Sequence, residues 1–497
     1  MKLDRYAASL LKLTKRRYAE WHASHPVAAD IKRPAVAGPL RKIDSVHGIS
    51  LPVEDEDWPS RTFAERAIHA LFRSPVYPLR DDEEVWHSRE DARREMRELL
   101  PDQIMPDENA HWHDLLSDEA QSHFAFSGLG AFHLRQMPAL DNEDARFVVD
   151  MTHMEKHDVR PGFERFGAAA YFGEDRKILR IHWSHVGHDI RPGDPDWPHA
   201  KLAWRSAVLV GLTVSDHQWG LHMRLGNTVI TATRERLGVE HPVRLLLKPY
   251  CFRTVAVNHR AANVLIGERG LTHRALALTF EGLSALLLDG ERDAKLRPFP
   301  DVLAERRTED LEDFPFAEDG LDLYAVIHQY VREYIHLYLP SNDHVCADVE
   351  LARWWEALAE VRDDDRSLRT RAQLTDAVSA FIFSVVALHE HMGELAEYVR
   401  DPGFAAGRLR PGAVMNDVQG TFLLGLLVAG SGLSQPDLIS DFSHLLPSDR
   451  RETAVAILEA YRVRLGDLSA EIDRRNLGRK QPYNSMNPSK LQCSVSI

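Results

Sequence analysis

The chain has 497 residues, with 75 acidic side chains against 61 basic ones and a formal net charge of −14. That balance repels nucleic-acid phosphates, so no nucleic-acid partner is expected. Three cysteines, Cys251, Cys346 and Cys493, make neither a disulfide framework nor a paired metal motif, which suits a reducing, cytoplasmic setting.

The first 26 residues, "MKLDRYAASLLKLTKRRYAEWHASHP", are basic and amphipathic but lack an apolar core leading to a cleavage site. They read as a surface helix rather than a signal peptide. Residues 1 to about 110 are charged and broken by prolines, and they are expected to form a helical and extended N-terminal region packed on the core. From about 110 to 200, "ARFVVDMTHM" and "DRKILRIHWSHVG" read as short strands, and "RPGDPDWP" as a breaker. The His185, His188 and Asp189 side chains in "HWSHVGHD" read as polar loop residues.

Beyond residue 200 the pattern is mainly helical. "WPHAKLAWRSAVLVGLTVSDHQWGLHMRLGNTVITATRERLG" reads as one or two long helices closing at Gly238. "HPVRLLLKP" is a short helix between prolines, with His241 as a capping residue at its start. "LDLYAVIHQYVREYIHLYL" is amphipathic, and "TRAQLTDAVSAFIFSVVALHEHMGELAEYVRDP" reads as a long helix ended by Pro402. Its twelve-residue apolar run, Ala377 to Leu388, is too short to span a bilayer and suits a helix buried on all sides, so no transmembrane segment is expected. The last helix, "RRETAVAILEAYRVRLGDLSAEIDRRN", leads into an irregular tail. No boundary after residue 110 splits the chain, which points to one large, mainly α domain over 111–497 with long central helices and a few short strands.

One spacing resists this reading. In "DHQWGLH", His217 and His222 stand five apart, and five residues of ideal α-helix leave two side chains about 140° apart. Side chains that share a partner sit three or four apart. With 26 histidines, chance alone supplies about 1.4 pairs at any given spacing, so the pair proves nothing by itself. No HExxH pairing accompanies it, which disfavours a zinc hydrolase. "GLGAF" lacks the following Lys-Ser/Thr of a phosphate loop.

The order of motifs is more specific. "DHQWGLH", nineteen residues before "HPVRLLLKPYCFRTVAVNHRAANVLI", resembles the lipoxygenase signature. "FPFAEDGLDLYAVIHQYVREYIHLYL", "FIFSVVALHEH" and the terminal "DRRNLGRKQPYNSMNPSKLQCSVSI" resemble that family's later segments in the same order. Weaker matches, "LLSDEAQSHFAFSGLGAF" and "VVDMTHME", extend the likeness over about 110 to 497.

This resemblance implies a lipoxygenase-type helical domain of a divergent, bacterial type. It further implies a mononuclear non-haem iron (manganese being the lesser alternative) bound by His217, His222, His389 and the carboxylate of Ile497. Imidazoles with one carboxylate and open positions suit a divalent first-row metal engaged in redox and dioxygen chemistry. If both members of the pair bind one metal, the helix should carry a π-bulge, where about 4.4 residues per turn brings positions i and i+5 to within roughly 50° of each other. By itself His389 reads as a hydrogen-bonded core histidine, and only the likeness makes it a ligand. His391, two positions on, faces about 200° away and is expected behind the metal shell or exposed. Asn258 matches a family asparagine of structural kind. Ala261 falls where the family keeps a small residue beside the reacting carbon.

The chain also departs from the family. Position 393, where a further Asn ligand is typical, is Gly393, so water or Glu394 would have to fill that place. Ala261-Ala262 replaces the usual Ala-Arg, and Pro249-Tyr250 the usual Pro-His. The first hundred residues do not resemble the β-sandwich lipid-binding domain of many relatives.

The function this implies is dioxygenation of a polyunsaturated fatty acid: a hydrogen atom leaves the methylene of a 1,4-pentadiene, dioxygen adds, and a hydroperoxide results. Two other readings stay open. The same iron fold could act on another substrate, as a fatty-acid hydroperoxide isomerase or natural-product oxygenase, or the chain could be a non-catalytic lipid binder. The partners are then an amphiphilic small molecule and O2, with peripheral membrane contact and oligomeric state left open.

Overall fold

The computed structural model describes residues 31, 40–42, 50–52, 70–81, 85–99, 114, 116–138, 144–363, 366–393, 395–399, 401–429 and 436–495. The amphipathic N-terminus, Glu394 and Ile497 therefore lie outside the described residues.

A two-stranded ribbon, β1 (Leu40–Lys42) with β2 (Ser50–Pro52), precedes the body. The main sheet is an antiparallel meander of five strands in sequential order: β3 (Leu134–Gln136), β4 (Phe147–Asp150), β5 (Ala168–Phe172), β6 (Ile178–Trp183) and β7 (His188–Ile190). Val149 faces Ala170 across β4 and β5, and Ala170 faces Ile181 across β5 and β6. Three strands longer than their neighbours bury one face almost wholly, and that face meets the helices through Phe172, whose ring lies 5.8 Å from Trp204. His188 and Asp189, read as loop residues, belong to β7, where Asp189 accepts from His182 and pairs with Arg180.

The central axis runs without interruption from Trp197 to Arg236. It begins as α1 (Trp197–Gly211), continues as a π-helical segment (Leu212–Gly226) and ends as α2 (Asn227–Arg236). Nearly every side chain of α1 is buried, as expected for a helix at the centre of a large domain. Its polar members are satisfied by neighbouring carbonyls: Arg205, fully buried, donates to Phe404 O, Gly403 O and the Gln121 side chain.

Further along come α3 (Thr254–Val264), α4 (Phe280–Asp293), α5 (Pro315–Tyr338), α6 (Arg371–Phe383), α7 (His389–Gly393) and α8 (Arg451–Asn476). The helix α4 lies against the π-segment at very short range. A Cβ at Gly290 would meet the backbone of Ser215, with its carbonyl carbon at 2.7 Å and the carbonyl oxygen closer still. The long helices α5 and α8 pack through stacked Tyr330 and Tyr461, 4.2 Å apart and 9° from parallel. Thr370 and Gln373 form a capping box at the start of α6.

The helix expected to reach Pro402 is not continuous. After α6 comes a second π-turn, Ser384–Leu388, then α7, and helical structure resumes only at Ala396–Val399. The amide of Leu395 turns back to Gly393 O, a bond across two residues that no α-helix makes. Continuous from Arg371 to Gly393, this stretch is long and apolar enough to cross a membrane by length and composition, more than its twelve-residue run suggested. Within the protein, 78% of its apolar window is buried.

Part of the N-terminal region is tied to the body by charge. Arg274 donates to the carbonyls of Phe72, Tyr77 and Pro78. Arg160 grips Asp81, while Arg89 and Arg93 converge on Asp401. At the other end the tail folds back: Leu438 N bonds Leu491 O, Cys493 N bonds Pro436 O, and Ser494 Oγ donates to Phe252 O. Val495 is fully buried. The three cysteines are free.

Candidate metal centre

The π-segment answers the spacing problem. Because it winds more slowly than an α-helix, His217 and His222 come to one side, and their Nε2 atoms lie 3.2 Å apart. From the opposite element, His389 at the head of α7 brings its Nε2 to 3.1 Å from that of His222. The second π-turn, Ser384–Leu388, sits immediately before His389. Both ligand-bearing elements thus deviate from α-helix at the same place, where such deviations accompany function. The π-segment is also longer than a local bulge, running through fifteen residues.

The Nε2 atoms of His217 and His389 both lie within hydrogen-bond distance of His222 Nε2, and nitrogens so placed need a proton or a metal between them. Burial lowers the pKa of all three histidines, that of His222 to about 4, and neighbouring rings lower His217 and His389 further. Neutral rings then present lone pairs to one another, which is repulsive unless a cation sits between them. Metal–nitrogen bonds of about 2.0–2.1 Å put adjacent nitrogens about 2.8–3.4 Å apart, between octahedral and tetrahedral angles, and the observed spacings fall in that range. The residues fit a metal ion. Among the described residues this is the one group of three or more His, Cys, Asp or Glu placed to hold one.

Asn258 on α3 fixes the orientation of His222. Its Oδ1 accepts from His222 Nδ1 at 2.8 Å, so Nε2 carries the lone pair. Its Nδ2 donates to His222 O at 2.6 Å and to Asn227 Oδ1 at 2.9 Å, holding side chain and backbone together.

A lipoxygenase family profile matches residues 303–396, which include His389 and Gly393. Polyunsaturated fatty acid lipoxygenase ALOX15 of Mus musculus is 29% identical over 336 residues, covering 62% of this chain and 50% of its own. Linoleate 9/13-lipoxygenase of Pseudomonas aeruginosa is 26% identical over 372 residues, covering 65% of this chain and 53% of its own. Coral 8R-lipoxygenase superposes with a TM-score of 0.76 at 18% identity, covering 92% of this chain and 77% of that one. A calcium-dependent 11R-lipoxygenase gives 0.74 at 19% identity, covering 90% and 75%. The chain thus carries a segment that matches the lipoxygenase profile and shares the fold of the solved lipoxygenases. It spans about half the length of the curated relatives it matches.

Gly393 lies one turn beyond His389, facing the centre: a Cβ there would lie 3.7 Å from His217 Cε1 and 3.9 Å from its Nε2. Ala261 stands one turn after Asn258 on α3. The fourth expected ligand, Ile497, and the substitute Glu394 fall outside the described residues, although the tail is buried as far as Val495.

His391 narrows an expectation, since of the two places expected for it the exposed one is excluded. It is not exposed but 2% accessible, stacked near Phe132 and Phe316, and its Nδ1 accepts from Tyr483 Oη at 3.1 Å. The helical turn that aims His389 at the centre aims His391 into the packing between α7 and the C-terminal tail. His241 is the cap the sequence suggested, accepting from Val243 N while its Nε2 faces Asp348. Sequence reasoning missed the partner of Asp216, which is engaged by His133 at 2.9 Å and so does not join its neighbour His217. It also missed the second π-turn, for which a run of apolar residues holds no signal.

Proposed function

We propose that this chain is a non-haem iron dioxygenase that inserts O2 into a polyunsaturated fatty acid, converting a 1,4-pentadiene and O2 to a conjugated diene hydroperoxide. The observation that carries the reading is the meeting of three neutral imidazoles across two π-distorted elements in a chain with a lipoxygenase profile match and fold. The relatives it resembles include enzymes named for polyunsaturated fatty acids and for linoleate.

His217, His222 and His389 would hold the iron, with the Ile497 carboxylate as the fourth protein donor. A bound iron supplies one-electron redox chemistry, able to remove a hydrogen atom from the weak C–H bond between two double bonds. The chain supplies the rest. Burial keeps the imidazoles neutral and available as donors. Asn258 holds His222 in the tautomer that donates through Nε2. Leu221 and Leu225 on the π-segment and Val385 and Val386 in the second π-turn are buried, so both elements that carry the histidines are packed away from bulk water.

Gly393 favours keeping a second reading, in which the same centre rearranges a fatty-acid hydroperoxide, because no side-chain donor occupies that position. The test is oxygen uptake and conjugated-diene absorbance by the iron-loaded chain given linoleic or arachidonic acid, beside a hydroperoxide of each. Uptake with diene formation supports the dioxygenase. Loss of hydroperoxide without uptake replaces it with the second reading, and inertness of a one-iron protein toward all four compounds sinks both.

A further inference from the structure

A cleft that shares no lining residue with the histidine cluster opens between α5, the start of α6 and the short helix Phe299–Arg306. Its volume is about 530 Å³, within the range of small-molecule sites. Such sites are mostly apolar, with a few placed polar groups. Here α5 presents Tyr324, His328 and Arg332, four residues apart and so on one face, while Asp301 and Asp376 come from the other two helices.

Tyr324 is 5% accessible, and its hydroxyl has no hydrogen-bond partner. An unpaired buried hydroxyl weakens a fold, so its retention calls for an explanation. Burial first, and then the charges of Asp376 and Asp301, raise its pKa, so the hydroxyl stays protonated beside two carboxylates. Asp376 gives Oδ1 to His328 Nε2 at 3.0 Å, and its second oxygen has no bond among the described residues. Arg332, one turn beyond His328, is exposed. Among the described residues no carboxylate pairs with it, since the adjacent Glu333 is engaged by Arg464 and Gln329. Eight residues of helix, about 12 Å, separate Tyr324 from Arg332. The cleft is therefore acidic around Tyr324 and His328 and basic at Arg332.

We propose that this cleft binds an elongated zwitterion, its primary ammonium between Asp301, Asp376 and the Tyr324 hydroxyl and its carboxylate on Arg332. An ammonium has three donors for those three acceptors, and a guanidinium presents a fork that matches a carboxylate. A separation of about 10 Å between the two charges is that of an extended tripeptide with free ends. The assignment does not depend on the metal-centre reading.

The experiment titrates the full chain with triglycine by isothermal calorimetry, beside triglycine amide, which lacks the carboxylate, and N-acetyltriglycine, which lacks the ammonium. We expect triglycine to bind with a Kd of about 1 mM and each blocked probe about tenfold more weakly. Arg332→Gln should reduce triglycine to the affinity of its amide, and Asp301→Asn should move it toward that of the acetylated probe. Both residues are exposed, so neither variant is expected to unfold. Tyr324→Phe should also weaken triglycine, yet unfold in urea at the wild-type midpoint or above it, because its hydroxyl has no bond to lose in the free protein. A lowered midpoint with unchanged binding would make Tyr324 merely structural and overturn its place in the site. Amide and parent binding equally well would reduce the cleft to a cation site and overturn the zwitterion. No heat with triglycine at about 20 mM would overturn it too, as would wild-type affinity in Arg332→Gln, which places the peptide elsewhere.

Discussion

The contact between Gly290 and Ser215 ties the stability of the fold to the geometry of the ligand segment. In Gly290→Ala the new methyl would lie against backbone, with the Ser215 carbonyl carbon at 2.7 Å and Oγ at 3.0 Å, so no side-chain rotation relieves it. The helix α4 and the π-segment must part by about 1 Å, and overpacking of this kind costs about 3 kcal/mol at the upper end of its usual range. Better helix propensity returns about 1 kcal/mol, leaving a net loss of about 2 kcal/mol. Ser215 lies two residues before His217, so the displacement falls on a proposed ligand. If the metal-bound geometry has to be restored against that strain, affinity drops roughly 30-fold. Urea unfolding of the metal-free chain and a cobalt(II) titration measure the two effects separately. Gly466→Ala on α8 is the control: nothing lies within 4 Å of its added Cβ, so it should stabilise by up to about 1 kcal/mol and leave metal affinity alone. A Gly290→Ala protein as stable as Gly466→Ala would refute the packing argument, and unchanged cobalt affinity would refute the link to the ligand segment.

Asn258→Ala should lower metal affinity about 10- to 100-fold while leaving the far-ultraviolet circular dichroism intact, because it frees the His222 ring to rotate and change tautomer; an unchanged cobalt titration counts against it. The metal-free protein should lose stability as pH falls. The folded-state pKa of His222, lowered by burial to about 4 from the usual imidazole value of 6.5, means that the unfolded chain takes up a proton first, so stability is full above pH 6.5 and declines toward pH 4. At pH 5 the His222 contribution to that decline is about 2 kcal/mol, and urea midpoints for wild type and His222→Gln at pH 7.5 and 5 should diverge accordingly. Parallel curves for the two proteins would remove His222 from the account. Tyr483→Phe leaves the buried Nδ1 of His391 without its donor and should cost about 1–3 kcal/mol in unfolding free energy, whereas an equally stable variant would mean the bond contributes little.

What could be read in advance depended on how far each feature is local. His217 and His222 betrayed the π-helix because five-residue spacing is incompatible with a shared partner on an α-helix, so chemistry and geometry had to be reconciled. No comparable clue marks Ser384–Leu388, since "SVVAL" fits α-helix and π-helix equally and only the placement of His389 across the site demands the change. Of the antiparallel meander only β4 and β6 were legible as strands, and the sheet was not, because order and register are set by which faces meet Phe126 and Trp204. His391 was left between burial and exposure for the same reason. A helical wheel gives its direction relative to His389 but not that the tail carrying Tyr483 folds across that direction. The close approach at Gly290 is invisible in one sequence, where a glycine inside "FEGLSALLLDGERD" reads as a weak point of a helix.

The same distinction shows why Gly393 is the most informative position in the site. Asn258, Tyr483 and Gly290 each act by holding something in place, and a different side chain at any of them disturbs the packing that aims the histidines. At 393 a Cβ would meet, among the described residues, only the ring of His217, at ordinary contact distance. Substitution there changes what stands beside His217 while leaving the three nitrogens where the two π-distorted elements put them. A shift in metal affinity is therefore attributable to the added side chain itself, which no substitution at the other three positions could establish.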